Sequence, residues 1–216
     1  MSSMCAKLPR ISLFLVVLGT VGCAVLPGRD AQPPQRIAGL LEMDSNNASL
    51  MPCGAKEAVS INKATALQAL FVKIAQPGQT ALFVDMTARP LADGGLEPVE
   101  IIRMQTTGRG CADDVHAANQ WVARGEGPDW RGLVGGQSMQ WQEKGMDNLG
   151  KPVPLISEEV PGVSVSFQTL SGNARELWVS PEDCFARSSG DYYHRTARLI
   201  RNGETLTGCA YRGLLP

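Results

Sequence analysis

The sequence predicts a mainly β chain built as two small units, the first a barrel carrying one helix, the second a small antiparallel all-β domain. Three observations predict it. Short apolar runs with period-two alternation recur along the 216 residues. Only one window, near residues 63–76, places apolar side chains at helical spacing. Turn dipeptides such as Pro77-Gly78, Gly135-Gly136 and Asn202-Gly203 separate the runs.

The first unit covers residues 37–112. Ile37 to Met43 is a strand candidate, Asp44-Ser45-Asn46-Asn47 is turn chemistry, and Ala48 to Cys53 returns as a second strand. Glu57 to Ile61 alternates and reads as a third. Asn62 is placed to cap a helix from Lys63 to about Gln76, in which Ala66, Leu67, Leu70, Phe71 and Ile74 share one face. Pro77-Gly78 stops it, and Thr80 to Met86 and Val99 to Met104 follow as strands across a loop at 91–95. Three strands, a helix and two strands is the order of a small OB-type barrel.

Particular residues carry a resemblance in this half. Gly39-Leu40-Leu41-Glu42, then Pro52-Cys53-Gly54, then the helix, then Ala81 through Arg89 resemble the OB-like domain of NlpE-type envelope lipoproteins. The chain departs from that pattern at Thr87-Ala88-Arg89, where a Gly before the Arg is usual. The resemblance implies a fold and no site, because such barrels host many ligands. Phe71 and Phe83 read as core, and no basic aromatic surface suited to single strands is visible, so nucleic acid is not an expected partner.

The second unit covers residues 113–216. Trp121 to Arg124, Gly132 to Val134, and Ser138 to Gln142 after the Gly135-Gly136 turn read as strands. Val153 to Ile156, Val163 to Phe167 and Arg175 to Val179 continue the pattern. His194 to Arg201, the turn Asn202-Gly203 and Glu204 to Cys209 close it as a hairpin. Arg124-Gly125, Pro128 and Trp130, then Trp178-Val179, Pro181, Cys184, Ser188, Gly190 and Tyr193, then Asn202-Gly203, Thr205-Leu206 and Gly208-Cys209 resemble a family of bacterial envelope lipoproteins. Its C-terminal β domain carries a GNEPxW motif and is distantly HslJ-like. Glu126-Gly127 stands where that family has Asn-Glu, and Phe185 to Gly190 departs from its acidic loop, so any family site there is altered.

The chain opens with a secretory leader, residues 1–22. It has no Asp or Glu, carries Lys7 and Arg10, and continues into the apolar run Ile11 to Leu18. That run is shorter than the roughly 20 residues of a spanning helix. Gly19-Thr20-Val21-Gly22-Cys23 resembles the lipobox of bacterial lipoproteins, with Thr20 in place of the usual Leu. The resemblance implies cleavage before Cys23 and lipid on its thiol and amine, so that the membrane is a partner through Cys23. The competing reading is an ordinary leader that leaves Cys23 as a free thiol. Ala24, rather than Asp, implies transfer to the outer membrane, facing the periplasm. Residues 23–36, rich in Pro and polar groups, read as a lipidated tether.

Removing Lys7 and Arg10 with the leader leaves 18 cations against 21 carboxylates, net −3, which argues further against a nucleic-acid surface. Cys5 leaves too, and Cys23 takes lipid. Cys53, Cys111, Cys184 and Cys209 remain for an oxidising compartment. Four cysteines allow three pairings. The change of pattern between Cys111 and Cys184 favours Cys53–Cys111 and Cys184–Cys209, each closing a loop inside its own unit. Without a CxxC pair and with only His116 and His194, no metal site is expected, and nothing calls for a cofactor.

The candidate binding residues are Trp130, Trp178 and Tyr193, with core packing as the competing role for the tryptophans. Ser188, Ser189, Asp191 and His194 carry the letters of a hydrolase, but a triad is assembled from distant segments, so no catalytic set is assigned. Asp113-Asp114 and Glu158-Glu159 read as solvated loop charges. The expectation is a non-enzymatic envelope lipoprotein that binds a protein or envelope component or serves a stress-related envelope role. The alternative is an inhibitor or small-ligand module acting on an envelope hydrolase such as lysozyme. In cells fed radiolabelled palmitate the protein should carry label, and Cys23→Ser should lose both label and membrane sedimentation; a Cys23→Ser form that still sediments would refute the anchor.

Overall fold

Strand formation follows the alternation closely in the computed structural model, which describes residues 32–44, 47–106, 109–125, 130–170 and 174–215. The leader, Cys23, most of the tether, the Ser45-Asn46 turn and the segment Glu126-Gly127-Pro128-Asp129 lie outside the described residues. Residues 31–216 form one compact unit.

In the first half, β1 is Gln35–Met43, β2 Ala48–Pro52 and β3 Val59–Ser60; α1, Thr65–Ile74, precedes β4, Ala81–Pro90, and β5, Leu96–Gln105. The strands lie in the order β3-β2-β1-β4-β5, each pair antiparallel. A single parallel bridge between Ile61 and Leu96 brings the start of β5 back to the end of β3. The predicted helix face packs inward: Leu67, Phe71 and Ile74 are buried with Leu41, Leu50, Leu82, Val84, Met86 and Met104.

Three local expectations shift. The third strand is only two residues long rather than running from Glu57 to Ile61. Asn62 does not cap the helix: its side-chain amide donates to Asp93 3.2 Å away in the 91–95 loop, and Ala64 stands at the cap with no side-chain bond. Lys63 makes the turn between them at φ 53°, a left-handed conformation uncommon for a residue with a side chain. Finally, β1 starts at Gln35, inside the stretch expected to be tether, because the Arg36 guanidinium is held by Asp85.

In the second half, β6 is Trp121–Gly125, β7 Trp130–Gly135, β8 Ser138–Glu143, β9 Val153–Val160, β10 Ser164–Thr169 and β11 Arg175–Ser180. Then come the short β12, Cys184–Phe185, and β13, Tyr192–Tyr193, followed by β14, Arg195–Arg201, and β15, Glu204–Arg212. Eight of these close an antiparallel barrel, β6-β7-β8-β9-β10-β11-β14-β15, with β15 paired back to β6. Inward residues fill it: Trp130, Val134, Met139, Trp141, Phe167, Leu177 and Leu199 are all buried in one cluster. Two glycines make room. A Cβ at Gly125 would stand inside the Trp130 ring, and one at Gly132 would press on Trp141.

The strands β12 and β13 leave the barrel. They pair with each other, and β13 pairs with β5 through Tyr192–Met104 and Tyr193–Arg103, extending the first sheet to seven strands. Both disulfides form with the expected pairing, Cα atoms 5.4 Å apart in each. Cys53–Cys111 ties the end of β2 to a short helical turn at Gly110–Ala112. Cys184–Cys209 runs from β12 to β15, so it joins sheet to barrel. Around it Ile102, Val122, Leu133, Tyr193 and Tyr211 form an apolar seam between the two.

A charged cluster sits in the same seam. Asp85, with no exposed surface, takes two bonds from the Arg36 guanidinium (2.8 and 2.7 Å) and one from Arg103 (3.2 Å). Arg103, 1 % exposed, also donates to Asp113 at 2.7 Å and lies over the rings of Tyr211 and Phe83. Burial opposes its charge, but Tyr211, the bond to Asp113 and the field of Asp85 outweigh that and hold its pKa above the ordinary value. Arg36 closes the seam by donating to the Gly213 carbonyl at 2.7 Å. Truncating one member of such a cluster strands buried charge. Asp85→Ala should therefore lower stability by about 3–5 kcal/mol, measured as the denaturant midpoint at constant slope; a loss under about 1 kcal/mol, the range of an exposed pair, would show that the cluster is not holding the seam.

Candidate functional site

The two ends of the barrel differ. At one, Glu143 bonds to Arg175 at 2.9 Å and to Arg201, and Arg201 also reaches Glu204. The Arg175 guanidinium lies 5.8 Å from the Trp141 ring, and Trp130 tilts against Trp141 with centroids 5.8 Å apart. The bond from Arg175 is the main reason the Glu143 carboxyl sits below its usual range. Ion pairs and two indoles thus plug this end.

The other end is open. The first residues of β6, β10 and β14 and the last of β11 and β15 surround a cavity of about 250 Å³. Phe167, Val165 and Val179 line it with Trp121, and its charged lining residues are Arg195, Arg212 and, from the β9–β10 side, Glu159. The β9–β10 hairpin overhangs it and exposes apolar surface, with Val163 60 % and Val160 44 % accessible beside Glu158 and Glu159. The arrangement suits an apolar group that carries an anionic or hydrogen-bonding end. Such a site binds and orients.

The rim is held from behind. Trp121 stacks on His194 at 6.4 Å, and the Arg212 guanidinium lies 5.9 Å from the Trp121 ring. The His194 Nε2 accepts the Arg212 backbone N–H at 3.2 Å, so the proton belongs on Nδ1, which donates to Glu100 at 2.8 Å. Arg195 donates to the His194 carbonyl at 2.7 Å. Burial lowers the His194 pKa despite the bond to Glu100, and that same bond is the first cause holding the Glu100 carboxyl low.

The three sequence candidates fall in three places. Trp130 is 4 % exposed inside the barrel, at the plugged end. Trp178 alternates with the inward Leu177 and Val179, so it faces outward on β11, where the Arg198 guanidinium lies 5.8 Å from its ring. Tyr193 is buried in the seam, stacked on Tyr211 at 5.9 Å, its hydroxyl accepting from Gln105 at 2.9 Å. None lines the open cavity. The hydrolase letters are not brought together either. The Ser189 hydroxyl accepts from the Asp191 N–H, Asp191 takes the N–H of Thr106, and both ring nitrogens of His194 are engaged elsewhere.

Trp121, Arg195 and Arg212, which line this cavity, are not among the residues the sequence singles out. Trp121 and Arg212 are register partners, but β15 and β6 stand at opposite ends of the second half, and only closure brings them side by side. A signal existed: Trp121 opens a strand whose inward positions are then Ala123 and Gly125, which places an indole at a barrel mouth. Among the described residues no group of three or more His, Cys, Asp or Glu is placed to hold a metal, and no helix is long and apolar enough to cross a membrane. No protein-family model, curated protein or solved structure matches the chain.

The His194–Glu100 pair gives the fold a pH dependence with a definite sign. His194 is neutral in the folded protein and its pKa is lowered, so the unfolded chain takes up that proton first as pH drops below about 6.5. Glu100, also lowered, acts in the same sense further down. Stability contributed by both is present above these values and lost as pH falls. His194→Gln, which keeps a donor and an acceptor but does not titrate, should flatten the fall in the denaturant midpoint between pH 7 and pH 5. An unchanged slope would mean that other groups carry it.

Proposed function

We propose that the protein is a non-enzymatic binding module of the bacterial envelope, lipid-anchored through Cys23 to the outer membrane and facing the periplasm, that engages a protein or envelope component with the open end of its barrel. The observation that carries the proposal is the asymmetry of the barrel. One end is filled by the Glu143, Arg175 and Arg201 ion pairs, and the other leaves apolar side chains, an indole, two guanidiniums and the Glu159 carboxylate beside an exposed apolar hairpin. A contiguous apolar surface rimmed by charge marks a contact site more often than idle surface. The first half is read as an OB-like barrel serving as the platform. Its strand order, the helix between β3 and β4, and the parallel Ile61–Leu96 bridge support that reading.

A photo-crosslinking residue in place of Val163, compared with one in place of Lys144 at the plugged end, tests this in intact cells. The Val163 position should return a reproducible partner by mass spectrometry and the Lys144 position none; equal capture by both would refute the assignment. The hairpin favours one specific second reading, an inhibitor of a cationic envelope hydrolase such as lysozyme, because Glu158 and Glu159 adjoin its apolar tip. Added protein should then suppress lysozyme activity and Glu158→Lys/Glu159→Lys should not. Full lysozyme activity in the presence of the unaltered protein removes this reading.

A further inference from the structure

Away from the barrel mouth, three arginines converge on one small cavity in the seam between sheet and barrel. Arg124 on β6 and Arg131 on β7 are direct register partners across an antiparallel pair. Like charges facing each other in that position destabilise a sheet, because the two side chains stand about 5 Å apart at their Cβ atoms. Arg109, just beyond β5, lines the same cavity of about 120 Å³ from the other side. Among the described residues neither Arg109 nor Arg131 has an ion-pair partner, and Arg124 has only the Tyr193 hydroxyl, at 3.4 Å.

The carboxylate that shares the cavity is already committed. Asp113 accepts from Arg103 at 2.7 Å, from the Tyr211 hydroxyl at 3.3 Å and from the Val115 N–H at 3.2 Å. It therefore balances Arg103, and among the described residues no other carboxylate lines the cavity beside the three arginines. Behind it, the Nη2 of Arg103, a residue 1 % exposed, is buried without a hydrogen-bond partner. Gln105, 4 % exposed, and the buried Tyr211 line the cavity beside Val115 and Val122, and the Gln105 amide is braced by Tyr193. Arg109 and Arg124 are exposed and Arg131 is half-buried. Arg124 is guided by its contact with the Tyr193 hydroxyl, and Tyr193 is itself locked by stacking and by the pairing of β13 with β5.

We propose that this cavity is an oxyanion site for a phosphate group, held by the guanidiniums of Arg109, Arg124 and Arg131. Planar guanidiniums match the oxygens of phosphate in pairs, and the repulsion between Arg124 and Arg131 becomes favourable once a dianion lies between them. The cavity takes a single phosphate-sized group. That group is either free inorganic phosphate or the phosphate of a lipid headgroup. The site is independent of the barrel-mouth reading, with which it shares no residue.

The test uses the full chain in detergent, at constant ionic strength. Inorganic phosphate, against chloride, should raise the Tm saturably and broaden its own phosphorus NMR signal. Arg131→Gln and Arg124→Gln should each weaken binding at least about tenfold, the loss of roughly one charge-assisted hydrogen bond. Arg131→Lys, which keeps the charge and loses the fork, should weaken it by a smaller factor and guards against misfolding as the cause. Without phosphate, Arg131→Gln should leave the Tm unchanged or raised, because repulsion is relieved. In a second arm, the Cys23→Ser form is floated with vesicles of phosphatidylglycerol or phosphatidylcholine. Arginine-dependent flotation on phosphatidylglycerol without an effect of inorganic phosphate assigns the headgroup as the source; the reverse assigns the free ion. The proposal is overturned if neither ligand gives a saturable, arginine-dependent response, or if the Arg124→Gln/Arg131→Gln double variant binds as well as the unaltered chain.

Discussion

A guanidinium with almost no exposed surface keeps its charge only if the protein supplies the countercharge that water otherwise would. For Arg103 that supply comes from both halves of the chain: Asp85 on β4, Asp113 beyond β5, and the face of Tyr211 on β15. Satisfying one residue therefore fixes how sheet and barrel sit together. Arg36, sharing Asp85 and reaching Gly213, draws the first strand and the last residues of the chain into the same cluster. The apolar seam of Ile102, Val122, Leu133 and the Cys184–Cys209 bridge adds burial and covalent closure, but neither has the directionality of the charged cluster. Both concave sites depend on that registration, since the stacking of His194 on Trp121 and the contact of Tyr193 with Arg124 are made across or beside it.

Much of the architecture is legible in the sequence because alternation is a local signal. Most strands lie close to where the apolar period places them, the Asn202-Gly203 turn forms, and the face of Leu67, Phe71 and Ile74 is the one that packs. The cysteine pairing is legible too, though its meaning changes. Cys184–Cys209 was expected to staple one unit internally, whereas β12 is hydrogen-bonded into the first sheet, so the bridge fastens two substructures. Two-residue strands such as β12 and β13 have no period to detect, and their partners are chosen by tertiary packing alone. Asn62 shows the same limit at the scale of one side chain: good capping chemistry was outcompeted by a carboxylate, Asp93, from a remote loop.

The open site was less legible than the fold. Trp130 and Trp178 attract notice as aromatic residues near turns, but the glycine opposite Trp130, Gly125, decides its fate by making space for the ring inside the barrel. Trp121 carries no motif. Its position follows from barrel closure, which joins β6 to β15 and sets an indole beside Arg212. The arginine cavity is half legible: Arg124 and Arg131 stand at a spacing that hairpin register would oppose, while Arg109 comes from the segment beyond β5.

The excursion of β12 and β13 also bears on how the molecule is made. The edge of β5 at Arg103 and Met104 waits for Tyr193 and Tyr192, which follow about 90 residues later in the chain. A chain emerging in order from its N-terminus would hold that edge unpaired, with the Arg103 cluster incomplete, until nearly all of the barrel has arrived. An open strand edge is a template for wrong partners, and pairings between distant residues form slowly. The interval between arrival of the first sheet and arrival of its last strand is thus the exposed period of this protein's biogenesis, and a chaperone that covers β5 would act there.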